Sequence, residues 1–393
     1  VIKYIDFELS SICNAGCPVC PRREGGNYTS FHQTYWTFEE VKRVLDIELI
    51  KQLDGFTVCG NFGDGMGNPD IVKICEWILQ VNSECRIHIN TNGGLGNLDY
   101  YTELGKLGAI LVFGIDGYED KNELYRVNAK WDKVYTNLVA YSKSLKLHHP
   151  ALFGEIQFLT WDQTRDQILP VAKLCNFLGN MGLYLRRPYK SGEYTFVYNM
   201  KGELSHGLTL TDDEFIGKYY DRKYNIYGEI EAVIRDLEKS PLQEFPLILT
   251  QDDAYYGNKK NPYVRRTPVF SEEEAKVLDT KTTQTCYSIN SYYPDNLNEV
   301  AHNLYITHDK LLMPCCLIPP EFSLSIEHSR NNENPHQVEL LNKILDIGLE
   351  NFSLKDKTVL QVFYSGVLQD FVYNGIYNNK PLSFCKLVCG KCS

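Results

Sequence analysis

The 393 residues carry 50 acidic against 40 basic side chains, a formal charge of −10. That balance argues against a general nucleic-acid binder, whose phosphate contacts need a basic surplus, while leaving room for a local basic patch. The longest apolar run, about Leu107 to Ile115, is too short to span a bilayer, and the length suits two or three domains.

Ile2–Ser10 reads as a strand, with Tyr4, Asp6 and Glu8 on one face and Ile5, Phe7 and Leu9 on the other. It runs into Ser-Ile-Cys-Asn-Ala-Gly-Cys-Pro-Val-Cys-Pro, which puts Cys13, Cys17 and Cys20 in one short loop. A structural zinc site wants four protein ligands. A cubane iron–sulfur cluster takes one ligand per iron, so three thiolates leave one iron open for chemistry. Thr37 and Glu40 form a capping box that opens a helix with an apolar stripe of Val41, Val44 and Leu45. Phe56–Gly60 is a second strand, leading into a glycine-rich loop, residues 59 to 69, whose backbone can approach a ligand closely. In the helix starting near Pro69, Cys75 shares a stripe with Ile71, Ile74 and Ile78, the position of a core residue.

Arg86–Thr91, Ala109–Ile115, Phe153–Thr160 and Leu183–Arg186 supply four more strands. Helical patterns at Leu98–Leu107, Trp131–Leu147 and Gln163–Leu178 separate them. Six β/α units imply an α/β fold with a parallel sheet and right-handed crossovers, two units short of a closed TIM barrel. Polar residues recur on one face of three strands: Glu8, then His88 and Asn90, then Gln157. Helices covering both faces would demand two apolar faces, so this pattern places helices outside and a solvated substrate cavity inside. A set of buried, satisfied polar networks is the alternative.

The cysteine triplet, with Asn14 after its first member, resembles the signature of the radical S-adenosylmethionine (radical SAM) superfamily; Val19 stands where the family commonly has an aromatic residue. The resemblance implies a six-unit partial TIM barrel. It also implies a 4Fe–4S cluster on Cys13, Cys17 and Cys20 whose open iron chelates S-adenosylmethionine, reductive cleavage of which yields a 5′-deoxyadenosyl radical. The loop through Gly63, Asp64 and Gly65 resembles the family's Gly-Gly-Glu-Pro element that holds the methionine amino group, with aspartate for glutamate and glycine for proline. Thr91-Asn92-Gly93 and Gly114-Ile115-Asp116-Gly117 resemble the Thr-Asn-Gly and Ser-Ile-Asp-Gly found after strands three and four in one branch. Asn92 and Asp116 are therefore cofactor candidates, Asp116 having a turn-forming Asp-Gly as its alternative, and Gly114 replaces a serine that often meets the ribose. Arg126 is a candidate for the cofactor carboxylate, and Arg186 for adenine or an acidic substrate group.

Residues 1–188 are thus expected as the barrel, 189–281 as an insertion that leaves after strand six, and 282–393 as a small cysteine-rich α+β domain. Within the insertion, helical spacing shows around Asp212–Tyr220 and Ile230–Leu237. In the last part Cys286, Cys315, Cys316, Cys385, Cys389 and Cys392 can fill four metal positions, with zinc as the alternative to iron–sulfur. The context from Leu304 to Cys316 resembles the hairpin of SPASM and shorter twitch domains. That resemblance implies one auxiliary 4Fe–4S cluster, held by Cys286, one of Cys315 and Cys316, and two of Cys385, Cys389 and Cys392.

The resemblance implies an enzyme that abstracts a substrate hydrogen, first on a peptide or protein side chain, with an external electron donor such as flavodoxin or ferredoxin. The chain begins at strand one, leaving a leader-peptide-binding domain to a separate partner. Oxidation or epimerisation of a small polar molecule is the second expectation. Cys59 is then the hydrogen-donating thiol, and Glu8 and His88 line the lumen. A non-catalytic zinc-binding interaction protein is the third. Thirteen cysteines with no export signal fit a reducing, cytoplasmic setting.

Overall fold

A computed structural model of the chain describes residues 2–20, 22–24, 27–28, 33–188, 194–211, 214–224, 228–240, 242, 244, 247, 282–284, 302–313, 342–372 and 390–392. The first half alternates strand and helix. Strand β1 (Ile2–Phe7) leads to a two-residue ribbon, β2 (Arg23–Glu24) and β3 (Asn27–Tyr28), and then to α1 (Phe38–Val44) and α2 (Ile47–Lys51). The repeating part follows as β4 (Gly55–Val58), α3 (Ile71–Val81), β5 (Arg86–Thr91), α4 (Leu98–Lys106) and β6 (Ile110–Gly114), then α5 (Trp131–His148), β7 (Gly154–Leu159), α6 (Ile168–Leu178) and β8 (Met181–Arg186). These are the six expected units, each strand within a few residues of its expected bounds. The expected capping box at Thr37 and Glu40 is present. Helix α6 starts later than its pattern suggested because Asp162–Gln167 winds first as a 3-10 turn.

Beyond β8 come the hairpin β9 (Tyr194–Tyr198) and β10 (Leu204–Thr209), the single turn α7 (Glu214–Gly217), β11 (Lys223–Tyr224) and α8 (Glu229–Lys239). Later strands are β12 (Thr282–Gln284), β13 (His302–Ile306), β14 (Leu312–Met313) and β15 (Gly390–Cys392). The main sheet runs β11-β8-β7-β6-β5-β4-β1-β13-β14. From β8 to β13 every neighbour pair is parallel, and β11 and β14 are antiparallel edges.

Two expected boundaries therefore do not divide the sheet. β11, from the expected insertion, pairs with β8, and β13, from the expected C-terminal domain, pairs with β1. The physical reason is the edge: six strands leave β1 and β8 with unpaired backbone groups, and later segments satisfy them. The segment from Leu304, read as resembling a SPASM or twitch hairpin, adds β13 and β14 to the edge of the sheet.

The sheet has two chemically different faces. Ile5, Phe7, Phe56, Ile89, Phe113 and Phe158 are fully buried under the helices. On the opposite face Tyr4, Asp6, Thr57, His88, Asn90 and Gln157 are only half-buried. Helix α3 buries Ile71, Ile74, Cys75 and Ile78, so Cys75 is core as its stripe indicated. Helix α8 buries Ile230, Val233 and Leu237 and joins α6 through the Lys173–Glu238 pair at 2.8 Å. No helix among the described residues is long and apolar enough to cross a membrane.

Candidate active site

The cysteine loop leaves the carboxyl end of β1 and is tied down at its base. Ser11 N–H donates to Thr34 O at 2.9 Å, and Ser10 Oγ accepts from Ile12 N at 3.0 Å. The sulfurs then meet donors. Cys13 Sγ accepts from Ala15 N at 3.4 Å and from Asn92 Nδ2 at 3.3 Å, and Cys17 Sγ accepts from Arg126 Nη1 at 3.7 Å. Buried Arg22 donates to the Ala15 carbonyl at 2.7 Å and the Cys13 carbonyl at 3.4 Å, with the Cys20 side chain also within its reach. Asn14 exchanges two hydrogen bonds with Asn128, at 3.2 and 2.9 Å, and Gly16 N–H donates to Val127 O at 2.8 Å. Burial pushes the Cys13 thiol up to about 12 and raises that of Cys17. In the absence of a metal both thiols stay protonated at neutral pH; a bound metal's charge displaces those protons.

The glycine-rich loop after β4 lies against this one. A Cβ at Gly63 would stand 2.0 Å from the Ser10 carbonyl oxygen, so only glycine fits there. Asp64 N–H donates to Ile12 O at 2.9 Å. Its carboxylate turns inward: Oδ1 accepts from Met66 N at 2.9 Å and Thr91 Oγ1 at 2.8 Å, and Oδ2 accepts from Asn92 N at 2.7 Å. Burial raises the Asp64 pKa while these three donors oppose the rise. Asp64 thereby fixes Asn92, whose Nδ2 reaches both Cys13 Sγ and Asn14 Oδ1, the latter at 3.0 Å.

Asp116, at the end of β6, is fully buried and accepts from Arg126 Nε at 2.5 Å and Leu159 N at 2.6 Å. Burial raises its pKa against the pull of Arg126. Gly114 has a steric role that its place in the sequence did not reveal. A Cβ there would lie 2.6 Å from Arg126 Nη2, so the missing side chain makes room for the guanidinium. Arg186 sits further round the sheet, its guanidinium 5.4 Å from the Tyr184 ring centre.

Glu8 is fully buried just past β1, and its Oε1 accepts from Asn61 N at 2.9 Å and Tyr305 Oη at 3.0 Å. Burial lifts its carboxyl to about 7, although those donors and the Phe62 amide act the other way. Parallel pairing of Phe7 with Val58 sets Cys59 beside Glu8 on the neighbouring strand. Burial and the Glu8 charge raise the Cys59 thiol well above its ordinary value. His88 lies deeper on the same face, its pKa lowered by burial and then by Lys223, which pairs with Glu155 at 2.6 Å. Tyr305 was missed in the sequence, though the alternation of Asn303 and Tyr305 with Leu304 and Ile306 marks a polar strand face. Arg22 was missed too, and its only signal was a basic residue two positions after Cys20.

The structure thus gathers Cys13, Cys17, Cys20, Gly63, Asp64, Asn92, Asp116 and Arg126 at one end of the sheet, with Glu8 and Cys59 buried beside them and His88 half-buried on the inner face. Cys286, Cys315, Cys316, Cys385 and Cys389 lie outside the described residues, and Cys392 belongs to the backbone of β15.

Residues 7–155 match the family model of the Radical SAM superfamily. That segment holds the triplet, the glycine-rich loop, Asn92, Asp116 and Arg126. No curated protein matches the chain in sequence. The solved structure of native anSMEcpe with bound AdoMet is 12% identical, covering 98% of this chain and 96% of its own, with a TM-score of 0.45. The same protein with bound AdoMet and Cp18Cys peptide has a TM-score of 0.45 at 12% identity, over 98% and 95% of the two chains. BtrN in complex with AdoMet and 2-DOIA is 12% identical over 62% of this chain and 91% of its own, with a TM-score of 0.29.

The radical SAM match implies a 4Fe–4S cluster and S-adenosylmethionine, and the loop's chemistry fits the cluster. Three thiols share one loop, and N–H groups of Ala15, Asn92 and Arg126 point at the sulfurs, as thiolates bound to iron require. Among the described residues no three His, Cys, Asp or Glu side chains converge on a single-ion site. A cubane does not ask for that, because it spreads its ligands one per iron.

Proposed function

We propose that the chain is a radical SAM enzyme that holds a 4Fe–4S cluster through Cys13, Cys17 and Cys20, binds S-adenosylmethionine beside it, and abstracts a hydrogen from a peptide or protein side chain. The carrying observation is the cysteine loop itself, braced by Arg22, Asn92 and Arg126 at the carboxyl end of a parallel strand, in the segment that matches the family model. When bound, the reduced cluster and its cofactor supply a 5′-deoxyadenosyl radical. The protein's part is placement and exclusion of quenchers. Gly63 lets the loop after β4 approach, Asp64 and Asn92 set its shape toward the cofactor's amino end, and Arg126, held by Asp116 beside Cys17, is assigned to the cofactor's carboxylate. Arg186 is assigned to adenine or an acidic substrate group.

An auxiliary 4Fe–4S cluster on Cys286, one of Cys315 and Cys316, and two of Cys385, Cys389 and Cys392 belongs to the same reading. Its support is the cysteine pattern and the antiparallel pairing of β12, which ends two residues before Cys286 in the sequence, with β15, which contains Cys392. Anaerobic reconstitution with iron and sulfide tests the whole. About eight irons per chain and 5′-deoxyadenosine on adding dithionite and S-adenosylmethionine are expected. Colourless protein with stoichiometric zinc, inert to the cofactor, would overturn the reading in favour of a metal-binding interaction protein.

A second reading, epimerisation or oxidation of a small polar molecule, is favoured by the half-buried His88, Asn90 and Gln157 and by Cys59 beside Glu8. Cys59→Ala that retains cofactor cleavage and loses epimerisation supports it; unchanged turnover removes it.

A further inference from the structure

The hairpin β9–β10 belongs to the stretch that family resemblance left without a role, yet it packs against the cysteine loop. Its fully buried Val197 and Leu208 form one apolar cluster with Tyr125 and Trp161, and Cys17 and Val19 pack onto that cluster. The Tyr125 and Trp161 rings stack with centres 5.6 Å apart. Polar contacts fasten the hairpin along the same strip. Gln163 donates to Thr209 Oγ1 at 3.2 Å and accepts from Thr209 N at 2.8 Å, and His206 Nε2 lies 2.9 Å from the Leu124 carbonyl. Leu210 bridges to Trp161, and Thr211 Oγ1 donates to Asp162 at 2.9 Å. The cysteine loop reaches this strip through Gly16 and Val127.

We infer that the β9–β10 hairpin is a wall of the cluster site, in which Val197 and Leu208 are positioning residues that keep water away from the Cys17 side of the triplet. The inference rests on the radical SAM reading for its purpose, though the wall around Cys17 stands without it. Val19 packs onto the same cluster as Cys17, so the aromatic pair and the hairpin together cover this side of the triplet. Dry surroundings matter for two reasons. They slow hydrolytic and chelator attack on iron–thiolate bonds. They also lower the reduction potential, since adding an electron to a site that already carries three thiolates costs more where water cannot solvate the charge.

The test compares Val197→Ala and Leu208→Ala with Phe196→Ala, which truncates the opposite face of the same hairpin, where Phe196 packs with Tyr198 and Leu204. In metal-free protein, iodoacetamide labelling of Cys17 mapped by mass spectrometry should speed up about tenfold in the first two variants, because lost packing raises local opening, and stay near wild type in the third. In reconstituted protein the same two variants should lose iron to a chelator about tenfold faster, and their midpoint in an EPR-monitored reductive titration should move to higher potential. Equal labelling of Cys17 in all four proteins overturns the wall. So does an equal effect of Phe196→Ala, which would show mere loosening of the hairpin. Failure of the wild type to take up iron sinks the radical SAM reading, whereas the labelling comparison stands by itself.

Discussion

The end of the sheet around the cysteine loop and the inner face below it are built on opposite rules. At the loop end almost every polar group is spent: Asp64 accepts three hydrogen bonds, Asp116 two, and Asn92 reaches two partners at once. On the inner face His88, Asn90 and Gln157 are half-buried, and Asn90 Nδ2 donates to Val58 O at a long 3.4 Å. The difference teaches a division of labour. Hydrogen bonds at the end of the sheet hold the sulfurs and loops in place, while the face leaves polar side chains half-open, which on the proposed function is where a substrate would meet them.

The sharpest way to break this comparison is to remove a sulfur. Cys17→Ala should cost one cluster, about four irons per chain, and abolish 5′-deoxyadenosine formation, read by iron assay and chromatography. Next in size, Arg126→Met strands the buried Asp116 carboxylate without its cation. Thermal and denaturant unfolding should show a loss of about 4 kcal/mol at pH 7, shrinking toward acid pH as Asp116 takes up a proton.

Glu8→Gln probes the junction between the two regions. Its carboxyl titrates at about 7 in the folded chain against an ordinary value of 4.5, so the native state binds the proton more tightly. Stability is therefore undiminished below about pH 4.5 and falls as pH rises to about 7, by up to about 3 kcal/mol. The glutamine variant should lack that fall, gaining most above pH 7 and little at pH 4; a parallel pH profile for both proteins would refute it. The smallest effect on stability is expected from Gln157→Ala, within about 1 kcal/mol, since a half-exposed side chain is truncated. A large loss there would mean that the inner face is structural, and the contrast between the two regions would disappear.

Much of the fold was legible in the chain because its signals are local. Period-two strands, helical stripes such as Ile71, Ile74 and Ile78, and the Thr37 capping box each occupy a few neighbouring residues. The triplet was legible for the same reason. What the sequence hid depends on pairing across long separations. Nothing near Leu304 announces that β13 will lie along β1, or that Tyr305 will hydrogen-bond Glu8.

The sequence by itself determined the order of β/α units, the three-cysteine loop and the polar alternation of the inner face, since each follows from spacing along the backbone. Only the tertiary structure decided that Gly114 yields its space to Arg126, that Asp64 is turned inward, and that the β9–β10 hairpin shares one apolar cluster with Cys17. Those outcomes depend on which surfaces remain unpaired once the sheet has formed, and a linear pattern does not contain that information.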